Sequence, residues 1–310
     1  MIKPIYVFSG FLDAGKTTAI QATLRDFEFT QHTPTLIIRL EEGDVDYDQS
    51  FLRESNSHLV TLTAASELTK EKIEELEKNY EFDRVVLELN GLERDEDLFK
   101  RGFAKKWELA ETIAIFDTTR FTSYLTNMRT FLYDHIRYAD VAIFNRADGC
   151  DTRYIRNNIK AANPRLQIVF EETNGRIWTG VDESFFDVSG TAITVSDVDY
   201  GLWYMDALDH PTHYDGKTLK VRVAYLGDIP GEKNAVMMGR KAMVCCANDI
   251  TPVAFAFIGV DKNLMTKGKY YQIEGKIRVV EDTAGNPTCI VYATKSLPAA
   301  NPENELVYFN

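Results

Sequence analysis

Gly10-Phe11-Leu12-Asp13-Ala14-Gly15-Lys16-Thr17, directly behind the apolar run 5–8 (IYVF), decides the fold. The stretch matches G-x-x-x-x-G-K-[ST], whose four fixed positions coincide by chance in about one chain of this length in a hundred. Each position has a mechanical reason. Gly10 and Gly15 permit a tight loop, and the backbone N–H groups of Asp13, Ala14, Gly15, Lys16, Thr17 and Thr18 then converge on phosphate oxygens. Lys16 brings a positive charge to the β and γ phosphates of a nucleotide, and Thr17 offers a hydroxyl to Mg²⁺. The helix predicted from about 17 to 27 turns its positive end toward the anion.

Outward from this loop, short Val- and Ile-rich runs recur at 35–38, 59–62, 85–89, 113–116, 141–144 and 166–170. They mostly do not alternate, which is the mark of strands buried on both faces. Helical stretches such as 67–79 and 152–162 lie between them. This alternation predicts an α/β domain over 1–188, a P-loop NTPase fold on a mostly parallel sheet. Residues 189–216 mix Gly, Asp, His, Pro and aromatics without a period and read as a connector. From 217 to 297 the pattern changes to strand runs at 218–226, 235–246, 252–260, 269–281 and 288–294, separated by turn signals. Five short strands in that span predict a small mostly-β, OB-like barrel, followed by a frayed tail at 298–310.

The chain has 310 residues, enough for two domains, and a net charge of −12 from 47 acidic and 35 basic residues. Such an acidic balance argues against a nucleic-acid binder, which needs a basic surface. Four cysteines, at 150, 245, 246 and 289, contain no CxxC pair and are too few for a disulfide framework, so a reducing, cytoplasmic setting is expected. No run of 18 apolar residues predicts a membrane span, and the N-terminal apolar stretch reads as a buried strand rather than a signal peptide.

With Thr18, the loop resembles the GFLG[AS]GKTT sequence of CobW-type P-loop GTPases, a family associated with metal delivery and cofactor assembly. The resemblance covers about 1–185. Glu41-Glu42-Gly43-Asp44-Val45-Asp46-Tyr47-Asp48 resembles the family's first switch, and Phe82 to Leu92, with Glu88 and Gly91, its second-switch strand and turn. Asn145-Arg146-Ala147-Asp148 stands in the place of the guanine-reading N-K-x-D. The resemblance implies GTP as ligand, Mg²⁺ at Thr17, Glu88 and Glu41, and a γ-phosphate contact from the Gly91 N–H. Zn²⁺ or Co²⁺ enter as further ions through the family's metal association. An Asp carboxylate accepts both guanine N1–H and the exocyclic amine, which adenine cannot satisfy, and the Arg146 stem can cover the base. The bland alternatives are a solvated acidic loop at 41–48, an ordinary turn glycine at 91 and a solvated carboxylate at 88.

Two departures stand out. Asp13 occupies a family glycine, and an acid beside phosphates repels them unless it points away. The family's C-x-C-C is missing, because the corresponding stretch 59–66 (LVTLTAAS) has no cysteine and hydroxyls do not replace thiolates for Zn²⁺ or Co²⁺. His58, just before it, is not a site alone. Farther on, the segment from Gly239-Arg240 through Cys245-Cys246 to Pro252 resembles the OB-like domain of small bacterial proteins associated with permeases. Cys245 and Cys246 would point to opposite faces of a strand, which favours buried thiols over joint chelation. His210 and His213 have an H-x-x-H spacing in the connector, read as a surface loop.

The leading reading is a Mg²⁺-dependent GTPase, slow in the absence of a water-positioning glutamine, that regulates a client in metal or cofactor handling, a membrane permease or a metalloprotein. A nucleotide-binding scaffold with negligible hydrolysis is the alternative, and a small-molecule kinase using ATP the third.

Overall fold

The computed structural model describes residues 2–103, 106–160, 162–179, 186–232, 234–243, 250–282 and 285–307. The chain divides into two compact units, one made of 1–155 and 165–180, the other of 156–164 and 181–310.

The first unit is α/β. Its strands are β1 (Lys3–Ser9), β2 (Thr35–Arg39), β3 (Ser57–Thr61), β4 (Arg84–Glu88), β5 (Trp107–Asp117), β6 (Val141–Asn145), β7 (Gln167–Glu171) and β8 (Ile177–Trp178). They form one sheet in the order β3-β2-β4-β1-β5-β6-β7-β8, parallel except for the final β7–β8 pair. Every residue of β2 and β4 is buried, which explains why their middles, 36–38 and 85–87, read as unbroken apolar runs. Ile5 and Val7, Leu36 and Ile38, and Val85 and Leu87 share one hydrophobic cluster on the sheet. The carboxyl ends of β1, β4, β5 and β6 carry Ser9, Glu88, Asp117 and Asn145, so the sheet brings those residues to one edge. Strand β5 starts well before the apolar run 113–116. Its first half is mostly exposed and carries Glu108 and Glu111, which hid it in the sequence.

The second unit is mostly β. Strands β10 (Thr218–Asp228), β11 (Ala235–Met243), β12 (Ile250–Ile258), β13 (Tyr270–Glu281) and β14 (Pro287–Pro298) pair successively as β10-β11-β12-β14-β13-β10, closing the five into a ring. Closure removes the free sheet edges among these five strands. Two short strands join outside the ring, β9 (Ala192–Thr194) beside β10 and β15 (Leu306–Val307) beside β11.

Two expectations differ from the structure here. The 189–216 stretch is not irregular: besides β9 it holds the helix Tyr200–Asp209 and a 3₁₀ turn at Pro211–Tyr214. That helix buries Tyr200, Trp203, Tyr204 and Met205 in the core that also receives Leu219, Val221 and Val223 of β10. A helix covered on nearly all sides has no polar stripe, so it shows no amphipathic period. The 298–310 stretch is not wholly frayed either, since β15 pairs with β11 and Val307 is buried. Cys245 and Cys246 lie outside the described residues.

Trp203 is fully buried against Tyr200 and Phe255. Trp203→Ala is expected to destabilise the second unit by about 3–5 kcal/mol, read as a lowered transition in scanning calorimetry. An unchanged transition would contradict this packing.

Candidate functional site

The loop between β1 and the helix α1 (Lys16–Arg25) needs unusual backbone angles. Gly10 and Gly15 have φ of 123° and 102°. A Cβ at Gly10 would stand 2.1 Å from the Ile115 carbonyl oxygen, so the loop closes onto β5 only with glycine there. Asp13 also has a positive φ, 58°. This explains the glycine of the resembling pattern, and aspartate is among the few other residues that tolerate the left-handed region. Its side chain is exposed at the mouth of the loop.

Lys16 is buried to 5% exposure and makes three contacts. Its Nζ donates to the carbonyls of Gly10 at 2.8 Å and Phe11 at 2.9 Å, which curls the loop around the ammonium. It also donates to Glu41 Oε2 at 2.9 Å. The same oxygen accepts the Gly91 N–H at 3.3 Å. One anionic oxygen is therefore shared by the loop lysine and the amide of the turn after β4. Gly91 is forced, since a Cβ there would lie 2.6 Å from Phe11 Cα.

Beside them, Thr17 Oγ1 donates to Glu88 Oε1 at 2.6 Å, and Tyr47 Oη donates to Glu88 Oε2 at 2.7 Å. Burial raises the Glu88 carboxyl above its usual range, against the lowering effect of these two donors and of Lys16. Burial and the neighbouring Glu88 push the Tyr47 phenol well up, so it stays a donor. A buried carboxylate and a hydroxyl in contact are a hard-oxygen pair that suits Mg²⁺. Lys16, Thr17, Glu41 and Glu88 line a cavity of about 260 Å³ with Asp13, Gly15, Thr18, Asp44 and Arg146.

Four of the five acids of 41–48, Glu41, Glu42, Asp46 and Asp48, have partners within the fold. Arg39 is buried and holds Asp46 at 2.6 Å and Glu42 at 3.4 Å. Asp48 caps the helix Gln49–Glu54 by accepting the Phe51 N–H.

The segment after β6 sits at the other side of the loop. Asn145 Nδ2 donates to the Ala14 carbonyl at 2.7 Å, tying the segment to the phosphate loop. Arg146 has a φ of 52° and donates from Nη1 to Asp117 Oδ2 at 2.8 Å. Asp148 accepts from Thr173 N at 3.1 Å and Thr173 Oγ1 at 2.8 Å, and these bonds hold its carboxyl below the usual range. A second cavity of about 280 Å³ is lined by Thr118, Phe121, Arg146, Asp148, Cys150 and Tyr154. Arg146 borders both cavities, so the two adjoin.

The structure therefore brings Gly10, Asp13, Ala14, Gly15, Lys16, Thr17, Thr18, Glu41, Glu88, Gly91, Asn145, Arg146 and Asp148 to one edge of the sheet. Three neighbours of these residues were not singled out from the sequence: Tyr47, which bonds Glu88, Asp117, which bonds Arg146, and His135, whose Nε2 lies 3.3 Å from the Gly91 carbonyl oxygen. Asp117 pairs in register with Asn145, a relation visible only once the strand order is known. At 59–66, Leu59–Thr61 lie on β3, and the His58 ring packs near Tyr80 with centroids 5.3 Å apart. Among the described residues no group of three or more His, Cys, Asp or Glu side chains is placed to hold a metal ion. The His210 and His213 rings stack 5.0 Å apart, and burial pushes the Cys289 thiol up to about 12.

Residues 4–170 match the family model "CobW/HypB/UreG, nucleotide-binding domain", and residues 185–309 match the "DUF1980 C-terminal domain". No curated protein matches the sequence. Among solved structures, the Zn(II)-bound YjiA GTPase from E. coli is similar at 17% identity, covering 85% of this chain and 91% of its own, with a TM-score of 0.47. The hydrogenase maturation factor HypB from Archaeoglobus fulgidus is similar at 14% identity, covering 56% of this chain and 82% of its own, with a TM-score of 0.39. The nickel complex of HypB from Helicobacter pylori, also at 14%, covers 55% and 79% with a TM-score of 0.36.

Asp13→Gly removes an exposed charge from the mouth of the phosphate loop and suits the local φ. It is expected to tighten nucleotide binding by roughly fivefold, about 1 kcal/mol, in a calorimetric titration. Weaker binding would show that the carboxylate assists the ligand.

Proposed function

The chain belongs to the CobW/HypB/UreG nucleotide-binding family, and on that premise we propose that it is a Mg²⁺-dependent GTPase that regulates a client in metal or cofactor handling. The observation that carries this reading is the single Glu41 oxygen shared by Lys16 Nζ and Gly91 N–H. A terminal phosphate oxygen satisfies the same two donors and brings more charge. GTP therefore displaces Glu41, whereas GDP, which has no γ-phosphate, leaves it in place. Because Asp46 is tied to Arg39 and Tyr47 to Glu88, that displacement pulls on the whole 41–48 segment. A client that contacts this segment then senses which nucleotide is bound.

Thr17 and Glu88 are the residues that would hold Mg²⁺, Thr17 by its hydroxyl and Glu88 directly or through water. Bound there, the ion supplies charge to the β and γ phosphate oxygens. Lys16 neutralises the terminal phosphate, Gly91 donates its N–H, and the loop amides orient the chain of phosphates. Asp148, kept ionised by Thr173, accepts the two guanine N–H donors, while the Arg146 stem lies along the base. Hydrolysis rests on positioning and charge, and it is slow because no glutamine orients the attacking water. Zn²⁺ or Co²⁺ carriage through 59–66 is not part of the proposal, since that stretch offers no thiolate. The second unit is the docking module for the client, a permease or a metalloprotein, on the strength of its sequence resemblance alone.

The Glu41 contact also favours a second reading, a nucleotide-binding scaffold with negligible turnover, because an internal carboxylate already satisfies the phosphate donors. Phosphate release from GTP decides between them. Lys16→Ala is expected to lower it by at least about a hundredfold, and release unchanged by that substitution overturns the GTPase assignment. Glu41→Gln is expected to tighten a non-hydrolysable GTP analogue about tenfold with little change for GDP, in a paired titration. Equal effects on both nucleotides would remove Glu41 from the γ-phosphate position.

A further inference from the structure

Behind the phosphate site lies a buried ionic cluster that the proposed reaction does not yet use. His135, on the helix Arg129–Tyr138, is fully buried. Its Nδ1 lies 3.0 Å from Asp95 Oδ1, and its Nε2 lies 3.3 Å from the carbonyl oxygen of Gly91. The ring also meets the edge of Phe11, whose backbone would clash with any side chain at position 91. Gly91 is thus held from two directions, its N–H facing the shared oxygen at Lys16 and its carbonyl facing His135.

The proton count of this arrangement is fixed by chemistry. The Gly91 carbonyl can only accept, and an ionised Asp95 can only accept, so the two contacts need two protons on the His135–Asp95 pair. With one proton fewer, the carboxylate is the stronger acceptor and keeps the remaining N–H. The Gly91 carbonyl then faces a bare ring nitrogen. Asp95 Oδ2 is buried without a hydrogen-bond partner among the described residues, which strengthens the carboxylate's demand for the ring proton. Asp134, also buried, adds negative charge from the helix of His135, and it is itself held by Arg94 at 3.3 Å and by the Glu96 N–H at 3.3 Å. Residues 91–96 are therefore clamped to that helix at Gly91, Arg94, Asp95 and Glu96.

We propose that His135, paired with Asp95, is the positioning residue that aims the Gly91 N–H at the γ-phosphate of GTP. The inference rests on the GTPase reading and deepens it: His135 touches no substrate, and acts through the glycine. Burial alone would lower the imidazole's titration, but the Asp95 and Asp134 carboxylates and the Gly91 carbonyl outweigh it, so the proton is held above the ordinary histidine range. It is fully in place below that range and is lost as pH climbs through the raised value, so positioning fails on the alkaline side.

The test uses the full chain with Mg²⁺, GTP and GDP. His135→Leu is expected to lower kcat for phosphate release by at least about tenfold while leaving KM for GTP and the affinity for GDP within about twofold, because GDP does not reach Gly91. The double variant His135→Gln with Asp95→Asn removes both charges together and keeps an amide donor for the Gly91 carbonyl. It is expected to recover most of the lost kcat and to abolish the alkaline fall in rate. Wild-type protein that releases no phosphate from GTP overturns the GTPase reading and this inference with it. Wild-type turnover with an unchanged kcat in His135→Leu overturns the positioning role alone. So does a His135→Leu chain that loses GDP affinity equally, or a double variant that keeps the wild-type pH profile.

Discussion

A buried ammonium must be surrounded by acceptors, and Lys16 is where that requirement falls in this protein. Two of its acceptors are carbonyls of its own loop, so satisfying the charge also bends the chain into the cradle. The third is Glu41, contributed by a different part of the sheet edge. That one carboxylate joins the loop after β1, the segment after β2 and the turn after β4. Thr17, one residue on, makes the next link through Glu88 to Tyr47. The strand order makes these links possible, because β1 stands directly beside β4 and β4 beside β2.

The second half of the site obeys a different constraint. Asn145 is fastened to the Ala14 carbonyl, and a Cβ on Gly15 would come 2.8 Å from the same amide nitrogen. The segment 145–148 and the loop after β1 therefore form one pre-set bracket. The segment 41–48 is held mainly by side-chain ion pairs, some of them exposed. On the GTPase reading proposed above, the base and the inner phosphates would meet the bracketed part, and the terminal phosphate would meet the segment 41–48.

What the sequence revealed follows from the range of each interaction. The phosphate loop was legible because its chemistry lies within eight consecutive residues. The parallel strands were legible because burial on both faces leaves the middles of β2 and β4 as plain apolar runs. The five strands of the second unit could be read one by one, but their closure through β10 and β11 is a long-range pairing with no local mark. The helix Tyr200–Asp209 passed for a connector because burial on nearly all sides erased its period. Tyr47, Asp117 and His135 were missed because each acts through a partner at least 28 residues away: Glu88 for Tyr47, Arg146 for Asp117, and Asp95 for His135. Glu41 was read as a metal or switch ligand, and its bond to Lys16 is a tertiary fact of the same kind.

Glu41 has a thermodynamic consequence of its own. If Lys16 and the Gly91 N–H receive a terminal phosphate as proposed, the tethered Glu41 carboxylate would be a competitor that no dilution removes. Its strength depends on an effective concentration set by the six residues that link Glu41 to Asp48, and by how firmly Arg39 gathers them. On the proposed reading, the apparent affinity for a triphosphate would be the intrinsic affinity divided by the weight of the closed loop, while a diphosphate would escape that division. On that reading, sequence change at Glu42 or Asp46, which pair with Arg39 outside the cavity lining, would set the ratio of the two affinities and leave the cradle itself unaltered.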